Sequence, residues 1–109
     1  MNIQDHYFSQ IVSGKKNVEG YLCKGDFINL KIGDTITFHS SNDKITVLVN
    51  QIDYYCNFND FLEDHLKHVL PDVKSVEEGL KLYRLLYREE DELYHGVISI
   101  SFNINNNRW

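Results

Sequence analysis

The strongest constraint on the fold is a strict alternation of apolar and polar residues in two stretches, the signature of strands with one buried face. Thr35 to Ser40 sets Ile36 and Phe38 on one side. Ser41-Asn42-Asp43 then reads as a hairpin connection, after which Ile45, Val47 and Val49 resume the period. Beyond Val49 the pattern slips so that Ile52 and Tyr54 follow, which predicts a bulge near Asn50 and a bent strand of the kind that closes a small barrel. A closing strand over 96–104 places Ile98, Ile100, Phe102 and Ile104 on one face and Val97, Ser99, Ser101 and Asn103 on the other.

Helical signals occupy the remainder. Asp5 is expected to cap a short helix in which Tyr7, Phe8, Ile11 and Val12 share a face, with Gly14 as its left-handed stop. Residues 17–22 read as a short strand, and Lys31-Ile32-Gly33-Asp34 as a turn rather than a phosphate-cradling helix start. A helix is expected over 59–70, ending before Pro71, and Ser75-Val76-Glu77-Glu78 forms a capping box for a second helix to about Tyr87. Val76, Leu80, Tyr83 and Tyr87 make its inner stripe, and Glu89-Glu90-Asp91-Glu92 reads as a solvated loop. The order implies an α+β fold: a small, mainly antiparallel β-barrel with a short N-terminal helix and a two-helix insert before the last strand, all in one domain over 1–109.

Charge narrows the function classes. The net charge is −5, which argues against a broad basic surface that coats duplex nucleic acid. The deficit is uneven: residues 1–58 carry five basic side chains against six acidic, and the remainder six against ten. No stretch approaches the roughly 18 apolar residues of a membrane span, so an intracellular, cytoplasmic protein without membrane partners is expected. Cys23 and Cys56 have no CxxC-type partner and read as free thiols. The asparagine run Asn105-Asn106-Asn107 reads as compositional bias.

The nearly neutral half holds the stretch with the most chemistry, Gly14-Lys15-Lys16-Asn17-Val18-Glu19-Gly20-Tyr21. On a strand Glu19 and Tyr21 point to one side, and Lys16, in the preceding turn, can swing toward them. A ligand there would meet a cation, an anion and a ring. Lys16 would donate to a phosphate or carbonyl, Glu19 would accept from an exocyclic amine, and Tyr21 would stack on a base. The ordinary alternative is a partly exposed Lys16–Glu19 ion pair that fixes the turn.

With the later IKIGDTITF, the helix LPDVKSVEEGLKLYRLLY and the closing YHGVISISF, this stretch resembles the ASCH domain, a member of the PUA-like superfamily, over nearly the whole chain. The family's Gly-x-Lys-x-x-Glu-x-Arg is matched by Gly14, Lys16 and Glu19, while Tyr21 stands at the arginine position. The resemblance implies a PUA-like barrel with a cleft lined by Lys16 and Glu19 that binds RNA or modified nucleosides; Lys15, Tyr21 and Tyr54 are expected beside them at the ligand, with single-stranded RNA or a nucleoside as the expected partner. One branch is similar to acetylcytidine amidohydrolases. Carried over by spacing, its lysine is Lys16, its threonine position is Glu19 and its downstream acid falls near Asp72. Were the chain an enzyme, Glu19 would be the base and Lys16 the electrostatic stabiliser.

Other residues have plainer readings. His65 and His68 lie one helical turn apart beside Asp64 but lack a third ligand, so no metal site is assigned, and no cofactor is implied. His6, His39 and His95 have no Ser or Cys in a recognisable triad order. Tyr83 and Tyr87 read as core more than as cleft wall, and Arg84 and Arg88 as partners of Glu77, Glu78 or Glu89. A protein-interaction domain that uses the acidic helices is a third possibility; the oligomeric state is open.

Overall fold

The computed structural model describes residues 1–105; Asn106 and Asn107 of the asparagine run lie outside the described residues. Helix α1 spans Asp5–Val12, β1 Val18–Leu22, β2 Thr35–His39 and β3 Lys44–Tyr55, with a short 3-10 helix, Gly25–Asn29, between β1 and β2. Helices α2 (Phe58–Val69), α3 (Val76–Leu86) and α4 (Glu89–His95) precede β4 (Val97–Ile104). The four strands form one curled antiparallel half-barrel in the order β1-β4-β3-β2, so the fold is α+β.

The bulge falls where the alternation slips. Val49 faces Phe102 and Gln51 faces Ser101, so Asn50 is the extra residue and the register shifts there. Strand β4 is paired along both edges and covered on both faces. Ile98, Ile100 and Phe102 pack with Phe8 and Ile11 of α1 and with Phe38, Val47 and Val49 in the hollow of the sheet. Val97 joins Val18, Leu22, Phe58, Phe61 and Leu62 in a second apolar cluster beneath α2 and α3. Gly20 permits the second contact, since a Cβ there would stand 2.5 Å from the Phe61 ring.

Local chemistry accounts for the helix ends. Asn57 and Ser75 cap α2 and α3 by accepting from the N–H groups of Asp60 and Glu78. Gly14, at φ 82°, takes the left-handed turn after α1. Asp5 departs from the capping role expected of it: the cap position is Gln4, and the Asp5 carboxylate instead accepts from the Ser41 N–H and hydroxyl at 2.9 and 2.6 Å. It therefore ties α1 to the β2–β3 hairpin, and these bonds hold its pKa below the usual range.

The insert has three helices, not two, and the acidic run is the reason. Glu92 is 3 % exposed; its carboxylate accepts from the Phe58 N–H at 2.6 Å and meets the Arg84 guanidinium at 2.5 Å. An anion at the first turn of α2 is favourable beside the helix dipole and its unpaired N–H groups. The solvated loop expected over Glu89–Glu92 is thus α4, folded because one carboxylate of the run has a cationic and a backbone partner inside. Arg84 also approaches Glu89 at 3.5 Å, whereas Arg88 pairs with Asp91. Cys23 and Cys56 are free thiols. Among the described residues no helix is long and apolar enough to cross a membrane.

Candidate functional site

Strand β1 is an edge of the half-barrel, and the space beyond it is not filled by another strand. The N-terminal segment runs beside β2 instead, where the Ile3 N–H donates to the His39 carbonyl and the His39 N–H to the Met1 carbonyl. A cavity of about 320 Å³ remains between the edge of β1, the Asn2–Gln4 segment and one face of α3. Pockets at this small end of the usual range enclose one compact ring system rather than a polymer segment.

Lys16 lies on the wall of this cavity and is 1 % exposed. Its ammonium donates to the Val69 carbonyl at 2.8 Å and the Val18 carbonyl at 3.1 Å, pairs with Glu19 Oε2 at 2.9 Å, and sits 5.6 Å from the centre of the Tyr7 ring. An ammonium has three N–H donors, and three protein acceptors surround this one. The Val69 carbonyl belongs to the last turn of α2, where a cation is also favoured by the helix dipole. Lys16 therefore anchors α2 to β1 and fixes Glu19, and the direct hydrogen bond to a ligand phosphate expected of it has no N–H left to make it. The ordinary ion pair and the cavity group are the same residues, but the pair is buried rather than surface-exposed.

Glu19 is the polar centre. Besides the Lys16 contact on Oε2, its Oε1 accepts from the Tyr83 hydroxyl at 2.7 Å and the Gly20 N–H at 3.0 Å. Gly20 has that N–H to offer because it faces away from β4 on an edge strand. Three donors on one carboxylate fix its orientation, and Lys16 is its ion-pair partner.

Four tyrosines line the cavity around this pair: Tyr7 of α1, Tyr21 of β1, Tyr83 of α3 and Tyr87 just after it. Burial, and after it the negative charge of Glu19, raises the phenol pKa of all four, that of Tyr87 to about 12 and that of Tyr83 well above the ordinary value. They are neutral hydroxyls across the physiological range. Phe58 stacks on Tyr83 and Tyr87 with ring centroids 4.7 and 4.9 Å away, and Phe27 stacks on Tyr21 at 4.4 Å, so the rings are held in place from behind. Leu82 and Leu86 of α3 form an apolar rim.

Lys16, Glu19 and Tyr21 are therefore brought together, as their spacing implied. Three other expected residues lie outside the lining. Lys15 is exposed in the turn before β1. Tyr54 is 64 % exposed and faces Ile98, which in turn faces Tyr21; with β4 between them, the two tyrosines stand about 10 Å apart at the usual strand spacing. Asp72 follows α2 and is mostly exposed, taking a hydrogen bond from Gln10 at 2.8 Å and lying 3.1 Å from His6 Nε2. It has no contact with Glu19. The sequence reading missed Tyr7 as a site residue and assigned Tyr83 and Tyr87 to the core. Those two do belong to the second apolar cluster, but both also line the cavity, Tyr83 with its hydroxyl on Glu19. The available signal was an amphipathic ring repeated at i and i+4.

No protein-family model matches the chain, and no curated protein does. Solved structures do match. The hypothetical protein PH0355, known from a crystal structure, is 38 % identical over 96 % of both chains with a TM-score of 0.87. Protein PF0455 from Pyrococcus furiosus, solved in solution by NMR, is 36 % identical over 95 % of this chain and 94 % of its own, with a TM-score of 0.77. With more than a third of residues identical along nearly the full length of each chain, and with the half-barrel in common, this chain belongs to the same protein family as PH0355 and PF0455.

Proposed function

We propose that the chain is an ASCH-type module that binds single-stranded RNA or a free or modified nucleoside by taking one unstacked base into the cavity beside Glu19. The observation that carries this reading is an aromatic cavity of about 320 Å³ whose two charged groups cancel within a 2.9 Å ion pair. A phosphate gains nothing from a balanced pair whose ammonium is saturated. An uncharged planar ring gains aromatic contact with Tyr21 and Tyr87, accepts hydrogen bonds from their hydroxyls and donates one to Glu19. The phosphodiester chain stays outside, where Lys15 is free to meet it.

Labelled mixed-sequence single-stranded RNA and the free nucleosides are to be titrated against the wild type, Tyr87→Leu and Tyr54→Leu. Loss of stacking at Tyr87 is expected to weaken binding by about 1 to 3 kcal/mol, while Tyr54→Leu matches the wild type. With few phosphates neutralised, the salt slope of log K should correspond to roughly one ion or fewer. No binding, or identical curves for wild type and Tyr87→Leu, would sink the proposal.

The alternative, an amidohydrolase that removes an acyl group from an acetylcytidine-like nucleoside, has Glu19 as base and Lys16 as electrostatic stabiliser in one cavity. Its support is thinner. Asp72 lies outside, no Lys16 N–H remains for a developing oxyanion, and Glu19 already accepts from three donors. Release of cytidine from acetylcytidine that disappears in Glu19→Gln would favour it over simple binding.

A further inference from the structure

The count of hydrogen bonds at Glu19 specifies which edge of a base the cavity accepts. An ionised carboxylate offers about four lone-pair sites, two on each oxygen. Both sites of Oε1 are in use, by the Tyr83 hydroxyl and the Gly20 N–H, and Oε2 has one in use, by Lys16. One site remains, on Oε2, and the Glu19 side chain lines the cavity and is 16 % exposed. Tyr7, Tyr21 and Tyr87 line the same cavity, and their hydroxyls make no side-chain hydrogen bond to another described residue. The carboxylate thus takes a single ligand N–H, and the phenols are donors beside it.

We infer that the cavity is selective for a ring imide, one N–H flanked by two carbonyls, which among nucleobases is the pairing edge of uracil and its modified forms. This rests on the base-binding reading above. The N–H fills the last site on Oε2, and the flanking carbonyls accept from the tyrosine hydroxyls. Guanine is refused because its pairing edge carries adjacent N–H donors on the ring and the amine, and the second finds Oε1 occupied. Adenine and cytosine each bring an amine with two hydrogens, one of which is left without a carboxylate site and is met only if a phenol turns from donor to acceptor. Leaving a buried N–H unpaired discriminates more strongly than any difference in ring size. Tyr83 is on this account a specificity-determining residue: it touches no ligand but occupies the acceptor that guanine needs.

The test is an NMR-monitored titration of the full chain with uridine, 3-methyluridine, cytidine, adenosine and guanosine into the millimolar range, repeated with Tyr83→Phe after circular dichroism has shown that variant folded. Uridine should bind at least roughly tenfold more tightly than 3-methyluridine and than the other three nucleosides. In Tyr83→Phe, guanosine should gain on uridine by a similar factor, because Oε1 regains a free site. Equal binding of uridine and 3-methyluridine, a preference for cytidine or a purine, or an unchanged guanosine ratio in Tyr83→Phe would overturn the imide assignment while leaving base binding standing. If none of the nucleosides binds, the base-binding reading fails as well.

Discussion

At the scale of single residues, the chain's behaviour turns on Lys16. A lysine in a glycine-flanked turn is ordinarily a solvated cation; this one is 1 % exposed, with its ammonium shared among two carbonyls and a carboxylate. Burying a charge is tolerable only when every donor is satisfied, and that condition is met here by groups from two elements. Lys16→Met should therefore leave the Glu19 carboxylate half-buried without its counterion and two carbonyls without donors. The expected loss is about 3 kcal/mol, read from the urea midpoint. A loss below roughly 1 kcal/mol would place the pair among ordinary surface ion pairs and remove its organising role. The neighbouring Lys15 shows how little local sequence separates the two cases: the adjacent residue, one position earlier, is exposed.

At the scale of elements, the site depends on how closely α2 and α3 approach the edge of the sheet. Phe61 of α2 lies over Gly20 of β1, and Phe58 of the same helix backs Tyr83 and Tyr87. Gly20→Ala would put a methyl group 2.5 Å from the Phe61 ring, so the helix or the ring must move. Overpacking of this kind costs about 1 to 3 kcal/mol, measurable in thermal or urea unfolding. Adding Phe61→Leu should recover part of it; if the double variant is as unstable as the sum of the two single changes, the clash is not the cause. The ends of α2 are also pinned electrostatically, by Glu92 at its first turn and Lys16 at its last. Each helix end thus meets a buried charge of the sign its dipole favours.

At the scale of the whole molecule, buried phenols set the alkaline limit of stability. Tyr7, Tyr21, Tyr55, Tyr83 and Tyr87 all have folded-state pKa values above the ordinary 10.0, chiefly through burial. A raised folded pKa means that the folded state holds its proton where the unfolded state releases it. Stability from these groups is complete below pH 10 and falls as pH rises through about 12, where Tyr87 itself titrates. Unfolding followed by circular dichroism should therefore coincide with the rise in phenolate absorbance above pH 10. Phenolate absorbance that is complete while the fold persists would contradict the burial argument. The strands, the bulge at Asn50 and the Ser75 cap of α3 were legible in sequence because each is written locally, in a period of two, a slip of one residue, or a Ser at a helix start. The Lys16–Glu19 pairing was legible for the same reason, since three residues of turn and strand bring the two together. Sequence alone could not give the fate of Glu92, which is one of four consecutive acids and is buried only because Arg84 and the first turn of α2 stand opposite it. Nor could it give the cavity. Tyr7, Tyr21 and the pair Tyr83 and Tyr87 come from three separate parts of the chain, and what unites them is the unfilled edge of β1 in a sheet of order β1-β4-β3-β2. Local periodicity determines which faces are apolar, but long-range packing decides which polar atoms are consumed in holding the fold and which are left for a ligand.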